Sequence, residues 1–363
     1  MRFLRNLFNW VKANAGWLQW LAALVVLIYL IARYRGDIAV LFEERPDWSA
    51  FAVAFALCSG SLVTTYFRWY LLVRAQAFDF RFWDALRLGL VGHALSYLAP
   101  GSAGGDIFRA ALIAGTQDER RLVAASTVVV DRVIGVVSLF VVGALAALGP
   151  VSALRDHNVG RIVVAVLWAG AAAGCGGLAV GLYLPAERLR RIAHRVRLPM
   201  IAGFFQHCCD SLALYQTRRG VIALTVAISS LAHVAMLSSF YFCAVALHLE
   251  SAAPNLWEHW VLIPGAELAA SFVPVPGGVG ALEAAVTLCY EVSNEAAGGT
   301  VDPRTAQTAG LLVGLSFRVM GVAIAVIGIA AYAATRSEIK RGRPLDGQQR
   351  TPEDDRERGA DGP

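Results

Sequence analysis

Long uncharged apolar runs are the feature that most constrains the fold of this chain. A helix needs about 20 predominantly apolar residues to cross the hydrocarbon core of a bilayer. Four runs without a charged side chain are about this long or longer: residues 16–32, 50–67, 162–184 and 221–247. Two further runs, 122–149 and 305–335, carry ionisable residues near their middle. The pattern therefore predicts about six transmembrane helices.

The composition agrees with a membrane protein built of helices. Hydrophobic residues make up 57% of the chain and charged residues 16%, against roughly 45–50% and about 25% in soluble domains. The predicted fold class is an all-α integral membrane protein, which excludes a soluble globular enzyme. The excess of 32 basic over 27 acidic residues suits the anionic inner leaflet better than a nucleic acid, because the basic residues cluster in particular loops.

Two other apolar stretches, residues 88–105 and 260–290, are interrupted at their centres by proline and glycine. The predicted turn residues are Pro100, Gly104 and Gly105 in the first stretch, and Pro276, Gly277, Gly278 and Gly280 in the second. Arginine flanks the first stretch on both sides, whereas acidic residues flank the second on both sides. Lysine and arginine concentrate in cytoplasmic loops. Each stretch is therefore predicted to form a re-entrant hairpin, the first entering from the cytoplasm and the second from outside.

The order of spans and hairpins predicts an inverted repeat. A unit of span, hairpin and charged span at about residues 50–149 is followed by a similar unit at about residues 221–335. Inverted repeats with interrupted helices are typical of secondary transporters, whose substrate site lies between the repeats. We therefore expect one membrane domain, residues 1–335, and a disordered cytoplasmic tail, residues 336–363. The basic N-terminus places both chain termini in the cytoplasm.

Ionisable residues inside the predicted spans are candidates for a binding site. Each buried charge costs at least ~2.5 kcal/mol on insertion scales, so Asp131, Arg132 and Arg318 require an explanation. They either form a structural salt-bridge cluster or, with Arg109, bind an anionic headgroup, since arginine forks match phosphate oxygens. Arg68, next to aromatic residues at the end of a span, is interpreted as an interfacial arginine.

The polar residues of the broken stretches have two possible roles. Asp106 and Glu283 either cap the short helices that follow the turns or neutralise the arginines. The amides at the starts of those helices suit a phosphate or carboxylate. Glu267 is a candidate for proton coupling. His93 and His233 are interpreted as hydrogen-bonded packing residues.

The sequence gives little support for metal binding, disulfide formation or nucleophilic catalysis. The six cysteines are scattered without a CxxC pair, and no metal-ligand spacing, nucleophile motif or P-loop occurs. We therefore predict no metal, no cofactor and no catalytic residue.

Five motifs together resemble the lysylphosphatidylglycerol synthase transmembrane-region family, also called flippase-like membrane proteins. They are "RWYLL", "PGSAGGDIFRA", "DRVIG", "PVPGGVGALE" and the single arginine of the last span. The resemblance highlights Pro100, Gly104, Gly105, Asp106, Arg109, Asp131, Arg132, Pro276, Gly277, Gly278, Gly280, Glu283 and Arg318. It implies a multi-pass protein of the bacterial plasma (inner) membrane that acts on lipids. The family's bifunctional members also carry a soluble aminoacyl-tRNA-dependent transferase, for which the short tail leaves no room, so we expect a stand-alone translocator.

The resulting expectation is a flippase for a phosphate-containing polar lipid, such as an aminoacylated phospholipid or a polyprenyl- or hopanoid-linked lipid. One alternative is a membrane-embedded lipid-modifying transferase that uses Asp106 and Asp131. Another is a non-catalytic partner of an envelope lipid enzyme. A homo-oligomer is compatible with each of these possibilities.

Overall fold

The computed structural model describes residues 45–98, 104–115, 120–185, 187–188, 191, 211–273, 275 and 278–340. These residues form helices and no strands. In chain order the helices are α1 (Trp48–Ala75), α2 (Phe82–Leu98), α3 (Gly104–Gly115), α4 (Arg121–Ala146), α5 (Ser152–Asp156), α6 (Asn158–Tyr183), α7 (Arg219–Ala246), α8 (Leu256–Phe272), α9 (Ala281–Ala296) and α10 (Pro303–Lys340). The chain is thus an all-α, multi-pass membrane protein.

Five helices are long and apolar enough to cross a membrane: α1, α4, α6, α7 and the Pro303–Gly328 part of α10. Each has 26–28 residues, or about 39–42 Å at a rise of ~1.5 Å per residue. That length exceeds a hydrocarbon core of about 30 Å. Each helix overlaps one predicted run, while the predicted span 16–32 lies outside the described residues.

Helix ends differ from the predicted limits at two places. The predicted span 50–67 continues as helix to Ala75, so the interpretation of Arg68 as an interfacial residue is wrong: Arg68 is only 4% exposed. At the C-terminal end, α10 continues to Lys340, past the predicted start of the tail at Arg336. Apolar composition alone placed these ends too early, because a helix continues wherever its backbone and packing allow.

The start of α1 shows how a span begins at the edge of the apolar run. Asp47 precedes the helix and accepts hydrogen bonds from the Ser49 and Ala50 amides at 2.8 and 3.3 Å. These bonds satisfy amides that have no partner within the helix. Together with a bond from the Ser49 hydroxyl they lower the pKa of Asp47 below its usual value.

Each interrupted stretch forms a pair of shorter helices. Helices α2 and α3 have 17 and 12 residues, and α8 and α9 have 17 and 16 residues. These lengths lie at or below the lower limit of about 17 residues for a membrane-crossing helix. Gly278 and Gly280 have φ angles of 64° and 81°, a conformation that favours glycine because it has no Cβ. Pro100, Pro276 and Gly277 lie outside the described residues.

The packing of α1–α4 recurs in α7–α10. Helix α1 packs along α7. Within each group the second helix packs on the third and the third on the fourth, giving α2–α3 and α3–α4 in one and α8–α9 and α9–α10 in the other. Between the groups, α2 contacts α10 and α8 contacts α4. Helix α6 lies outside this arrangement against α4, with large apolar side chains such as Ile162 and Val166 exposed on its surface.

The main apolar core lies between the two groups. Its buried members come from α1, α4, α7, α8, α9 and α10. Phe240 of α7 and Phe317 of α10 stack there with ring centres 4.0 Å apart. This core surrounds a cavity that is lined by the charged residues of both groups.

Candidate functional site

A cavity of about 360 Å³ lies between α1–α4 and α7–α10. All eight of these helices contribute side chains or backbone to its wall, α9 through Leu282, and Gly278 just before α9 also lines it. The charged residues that the described part of the chain contributes to the wall are Arg68, Asp106, Arg109, Asp131, Arg132, Glu267 and Arg318. The structure therefore brings charged residues that are far apart in sequence to one cavity.

Asp131 is the centre of the first charged cluster. One carboxylate oxygen accepts from Arg68 Nε at 2.8 Å, and the other accepts from Arg109 Nη2 at 3.0 Å. Asp131 is 1% exposed. Arg68 also donates to the Ser229 hydroxyl of α7 at 2.5 Å. Helices α1, α3, α4 and α7 thus meet at a single buried carboxylate, which satisfies two arginines that would otherwise be costly to bury.

Asp106 lies in the first turn of α3 and faces the same cluster. It accepts from Arg132 Nε and from Arg109 Nη1, the latter at 3.4 Å. The side chain of Arg132 is 53% exposed, and Arg132 lines the cavity. Arg109, in contrast, is buried, with its guanidinium stacked 4.3 Å from the Trp69 ring centre. Arg132 is therefore the arginine of this cluster that a ligand in the cavity can reach most easily.

Glu283 and Arg318 form the second cluster. Arg318 donates to both carboxylate oxygens, from Nε at 2.7 Å and from Nη2 at 3.2 Å, and Nη2 also donates to the Gly278 carbonyl at 2.9 Å. Glu283 accepts in addition from the Gly280 amide at 2.7 Å. Both roles considered for Glu283, helix capping and neutralisation of an arginine, are thus present. The Arg318 guanidinium carbon lies 6.0 Å from the Tyr97 ring centre.

The two clusters have the same local plan. In each, the acid is the third residue of the second short helix, Asp106 in α3 and Glu283 in α9. Its arginine partner comes from the long helix that follows, Arg132 in α4 and Arg318 in α10. The first pair faces the open cavity, whereas Glu283 is fully buried behind Arg318.

Two histidines and Glu267 are also part of the cavity wall. His93 Nε2 lies 3.2 Å from the Gly321 carbonyl and His233 Nε2 lies 2.9 Å from the Gly135 carbonyl. The interpretation of both histidines as hydrogen-bonded packing residues is confirmed. Glu267 is partly buried, and its carboxylate forms no hydrogen bond or ion pair with any residue that the structure describes.

Sequence reasoning identified most of the charged wall but missed some of its members. The predicted residues Arg109, Arg132, Arg318, Asp106 and Asp131 line the cavity, and Glu283 contacts Arg318 directly behind it. The turn residue Gly105 also lines the cavity, while Gly104 begins α3.

Arg68 and Tyr97 were not predicted as site residues. The sequence contains one signal for the position of Arg68. No helix-ending residue lies between Phe67 and Ala75, so the predicted span could have been extended to include Arg68.

Comparison with known proteins identifies a family. The family model described as "Lysylphosphatidylglycerol synthase TM region" matches residues 16–301 of the chain. No curated protein and no solved structure gives a significant match. The matched region contains both interrupted stretches and every charged residue of the cavity wall except Arg318.

Proposed function

Because this chain belongs to the lysylphosphatidylglycerol synthase transmembrane-region family, a membrane family tied to lipid metabolism or transport, we propose that it is a lipid translocator. It moves a phosphate-containing polar lipid between leaflets. Candidate cargoes are an aminoacylated phospholipid and a polyprenyl- or hopanoid-linked lipid. The headgroup enters the cavity while the hydrocarbon chains stay in the bilayer.

The observation that carries this proposal is the set of four arginines in the cavity wall: Arg68, Arg109, Arg132 and Arg318. A guanidinium group presents several N–H donors in a plane and pairs well with phosphate oxygens. Arg132 is the most exposed of the four, since 53% of its side chain is exposed, against 12% or less for the other three. A volume of about 360 Å³ is near the lower end of small-molecule sites, which span roughly 300–1,000 Å³. That size suits a headgroup rather than a whole lipid.

The short helices support a re-entrant arrangement. None of α2, α3, α8 and α9 exceeds 17 residues, so each pair forms a hairpin that enters the membrane and returns. The loop charges orient the first hairpin toward the cytoplasm and the second toward the outside. We place the protein in a bacterial inner membrane with both termini in the cytoplasm.

The recurring packing of α1–α4 and α7–α10 supports two related units. Rocking of one unit against the other would open the cavity to each side in turn, as in transporters built from inverted repeats. The two acid–arginine pairs connect each hairpin to the long helix of its own unit. Each unit would therefore move as one body.

The first test is lipid movement in proteoliposomes that contain the purified protein. Fluorescent phosphatidylglycerol, its lysyl derivative and a polyprenyl phosphate are supplied in one leaflet, and the fraction that reaches the other leaflet is measured. Arg132→Ala and Arg318→Ala are expected to abolish movement of the transported lipid, because both remove a donor from the cavity wall. Arg304→Ala is the matched control, since Arg304 is exposed at the start of α10, away from the cavity.

The possible outcomes separate the candidate functions. Transport at the wild-type rate by both cavity variants would refute the assignment of the arginines. Absence of movement of every lipid by folded wild-type protein would favour a non-catalytic partner of a lipid enzyme. The transferase alternative is disfavoured by Asp131, because both of its oxygens already bind arginines and the residue is 1% exposed.

A further inference from the structure

Among the residues that the structure describes, the charges around the cavity balance only when Glu267 is counted. Four arginines line the wall, and three carboxylates, those of Asp106, Asp131 and Glu283, pair with them. This set alone carries one positive charge. An ionised Glu267 brings the cavity to neutrality, whereas a protonated Glu267 leaves one positive charge for a ligand.

Glu267 differs from the other acids in its surroundings. It lies on α8, three residues after Pro264, which removes one backbone hydrogen bond from that helix. It lines the cavity, but its carboxylate makes no hydrogen bond or ion pair within the described part of the chain. Arg318 is close enough to act on it electrostatically and is already held by Glu283. Glu267 is thus the wall carboxylate whose proton can come and go without breaking an ion pair among these residues.

We propose that Glu267 takes up one proton when the cavity binds an anionic phosphodiester headgroup, so that proton and headgroup cross the membrane together. This inference rests on the proposed lipid translocation and names its coupling ion. The proton adds to a carboxylate oxygen of Glu267 from the side on which the headgroup enters. It leaves from the same oxygen when the headgroup departs on the other side.

Charge neutrality supplies the physical reason for the coupling. A net charge in a low-dielectric cavity is costly, because little solvent is present to stabilise it. The empty cavity is neutral with Glu267 ionised, and the loaded cavity is neutral with Glu267 protonated and one phosphodiester bound. Each ligand therefore promotes binding of the other, and the coupling is reciprocal.

Other titratable groups face the same cavity, and an experiment must distinguish their protonation from that of Glu267. Cys58 of α1, Tyr97 of α2 and Glu283 just behind the wall interact electrostatically with Glu267. Asp131 and Arg132 of α4 and His233 of α7 also face the cavity. The acids and arginines other than Glu267 are paired, and His233 is occupied by the Gly135 carbonyl. His93 of α2 is likewise bonded, to the Gly321 carbonyl.

Calorimetry of headgroup binding tests the inference directly. Short-chain phosphatidylglycerol is titrated into the full-length protein in detergent, in two buffers of different ionisation enthalpy, so that the heat difference counts the protons taken up. The wild type is expected to take up one proton per lipid bound. Its affinity is expected to fall about tenfold per pH unit where the empty site is ionised, the slope for one linked proton.

Three variants make the result specific. Glu267→Gln is expected to bind the lipid without proton uptake and with an affinity that no longer depends on pH. Glu295→Gln is the matched acidic control, because Glu295 of α9 is exposed outside the cavity, and it is expected to behave as the wild type. His233→Gln is expected to retain proton uptake.

Each contrary result has a distinct meaning. Binding without proton uptake by the wild type, or uptake that persists in Glu267→Gln, would overturn the coupling and leave lipid translocation intact. Loss of uptake in His233→Gln but not in Glu267→Gln would assign the proton elsewhere and also overturn it. Failure of folded wild-type protein to bind the lipid at any pH would count against the proposed function itself, and the inference would fall with it.

Discussion

Asp131 shows how much of this fold depends on one carboxylate. It lies inside α4, yet its two oxygens bind arginines from α1 and α3. Both arginines are almost fully buried, Arg68 at 4% and Arg109 at 5% exposure. Removal of one partner from a buried ion pair is more damaging than the pair is stabilising, because the remaining charge has no solvent to replace the lost partner.

Asp131→Asn is therefore expected to destabilise the protein strongly, by about 3–5 kcal/mol. The substitution preserves size and shape but removes the carboxylate that pairs with Arg68 and one of the two that pair with Arg109. Asp106→Asn is the matched comparison, because the Asp106 side chain is 16% exposed and its partner Arg132 reaches the cavity. The measurement is the midpoint of thermal unfolding in detergent, followed by size-exclusion chromatography. Equal shifts in the two variants would contradict the assigned difference in burial.

The residues of the site could be predicted from sequence better than their partners. A charge inside an apolar run is conspicuous, so Asp131, Arg132 and Arg318 were identified without a structure. The pairing was not predictable, because Arg68 and Asp131 are 63 residues apart and Arg318 and Glu283 are 35 residues apart. Such contacts depend on how the helices pack. Neither charge pattern nor spacing determines that packing.

At the scale of elements, the first hairpin is held by an unusually close approach of its helices. Gly92 of α2 and Gly105 of α3 face each other, and a Cβ on Gly92 would lie 3.0 Å from the Gly105 carbonyl oxygen. A Cβ on Gly105 would lie 2.5 Å from the Ser96 hydroxyl and 2.8 Å from the Gly92 carbonyl carbon. A methyl group has no room at this crossing. The two helices can therefore pack at this distance only with glycine.

Gly105→Ala is expected to lower both stability and lipid movement. The methyl would push α3 away from α2 and displace Asp106 and Arg109, at a cost of about 1–3 kcal/mol typical of overpacking. Gly60→Ala in α1 is the control, because nothing lies within 4 Å of its added Cβ. Alanine is also the better helix former, so Gly60→Ala is expected to be neutral or slightly stabilising. Thermal unfolding and proteoliposome transport of both variants give the comparison, and an inactive Gly60→Ala would undermine the steric argument.

Elements that depend on nearby residues could be predicted from the sequence, whereas those that depend on distant contacts could not. Long helices follow from apolar runs, and the interruptions at residues 99–103 and 273–280 follow from proline and glycine, which are local signals. The helix ends were less accurate. Helix α1 runs eight residues past Phe67, because buried Arg68 is compensated by Asp131 from a distant part of the chain.

At the scale of the whole molecule, the two units are expected to face opposite sides of the membrane. Asp79 lies in the connection between α1 and α2, and Thr300 lies between α9 and α10. From the charge distribution we expect the first connection in the cytoplasm and the second outside. Both residues are exposed at these ends, so they can report on orientation.

Cysteine labelling tests this arrangement. In a variant whose six native cysteines are replaced by alanine, Thr300→Cys is expected to react with a membrane-impermeant maleimide in intact cells. Asp79→Cys is expected to react only after the membrane is permeabilised, because the reagent reaches the cytoplasmic side only then. Labelling of both positions in intact cells, or of neither, would contradict opposite orientation of the units.

The Arg68–Asp131 pair has a consequence for how the chain is made. Arg68 is synthesised 63 residues before its anion, a delay of roughly 3–13 s at ~5–20 residues per second. During that interval α1 carries an arginine that costs at least ~2.5 kcal/mol in lipid. We therefore expect α1 to stay beside a protein or aqueous surface until α4 emerges. On this expectation, the charges that line the finished cavity also influence the order in which the helices leave the translocon for the bilayer.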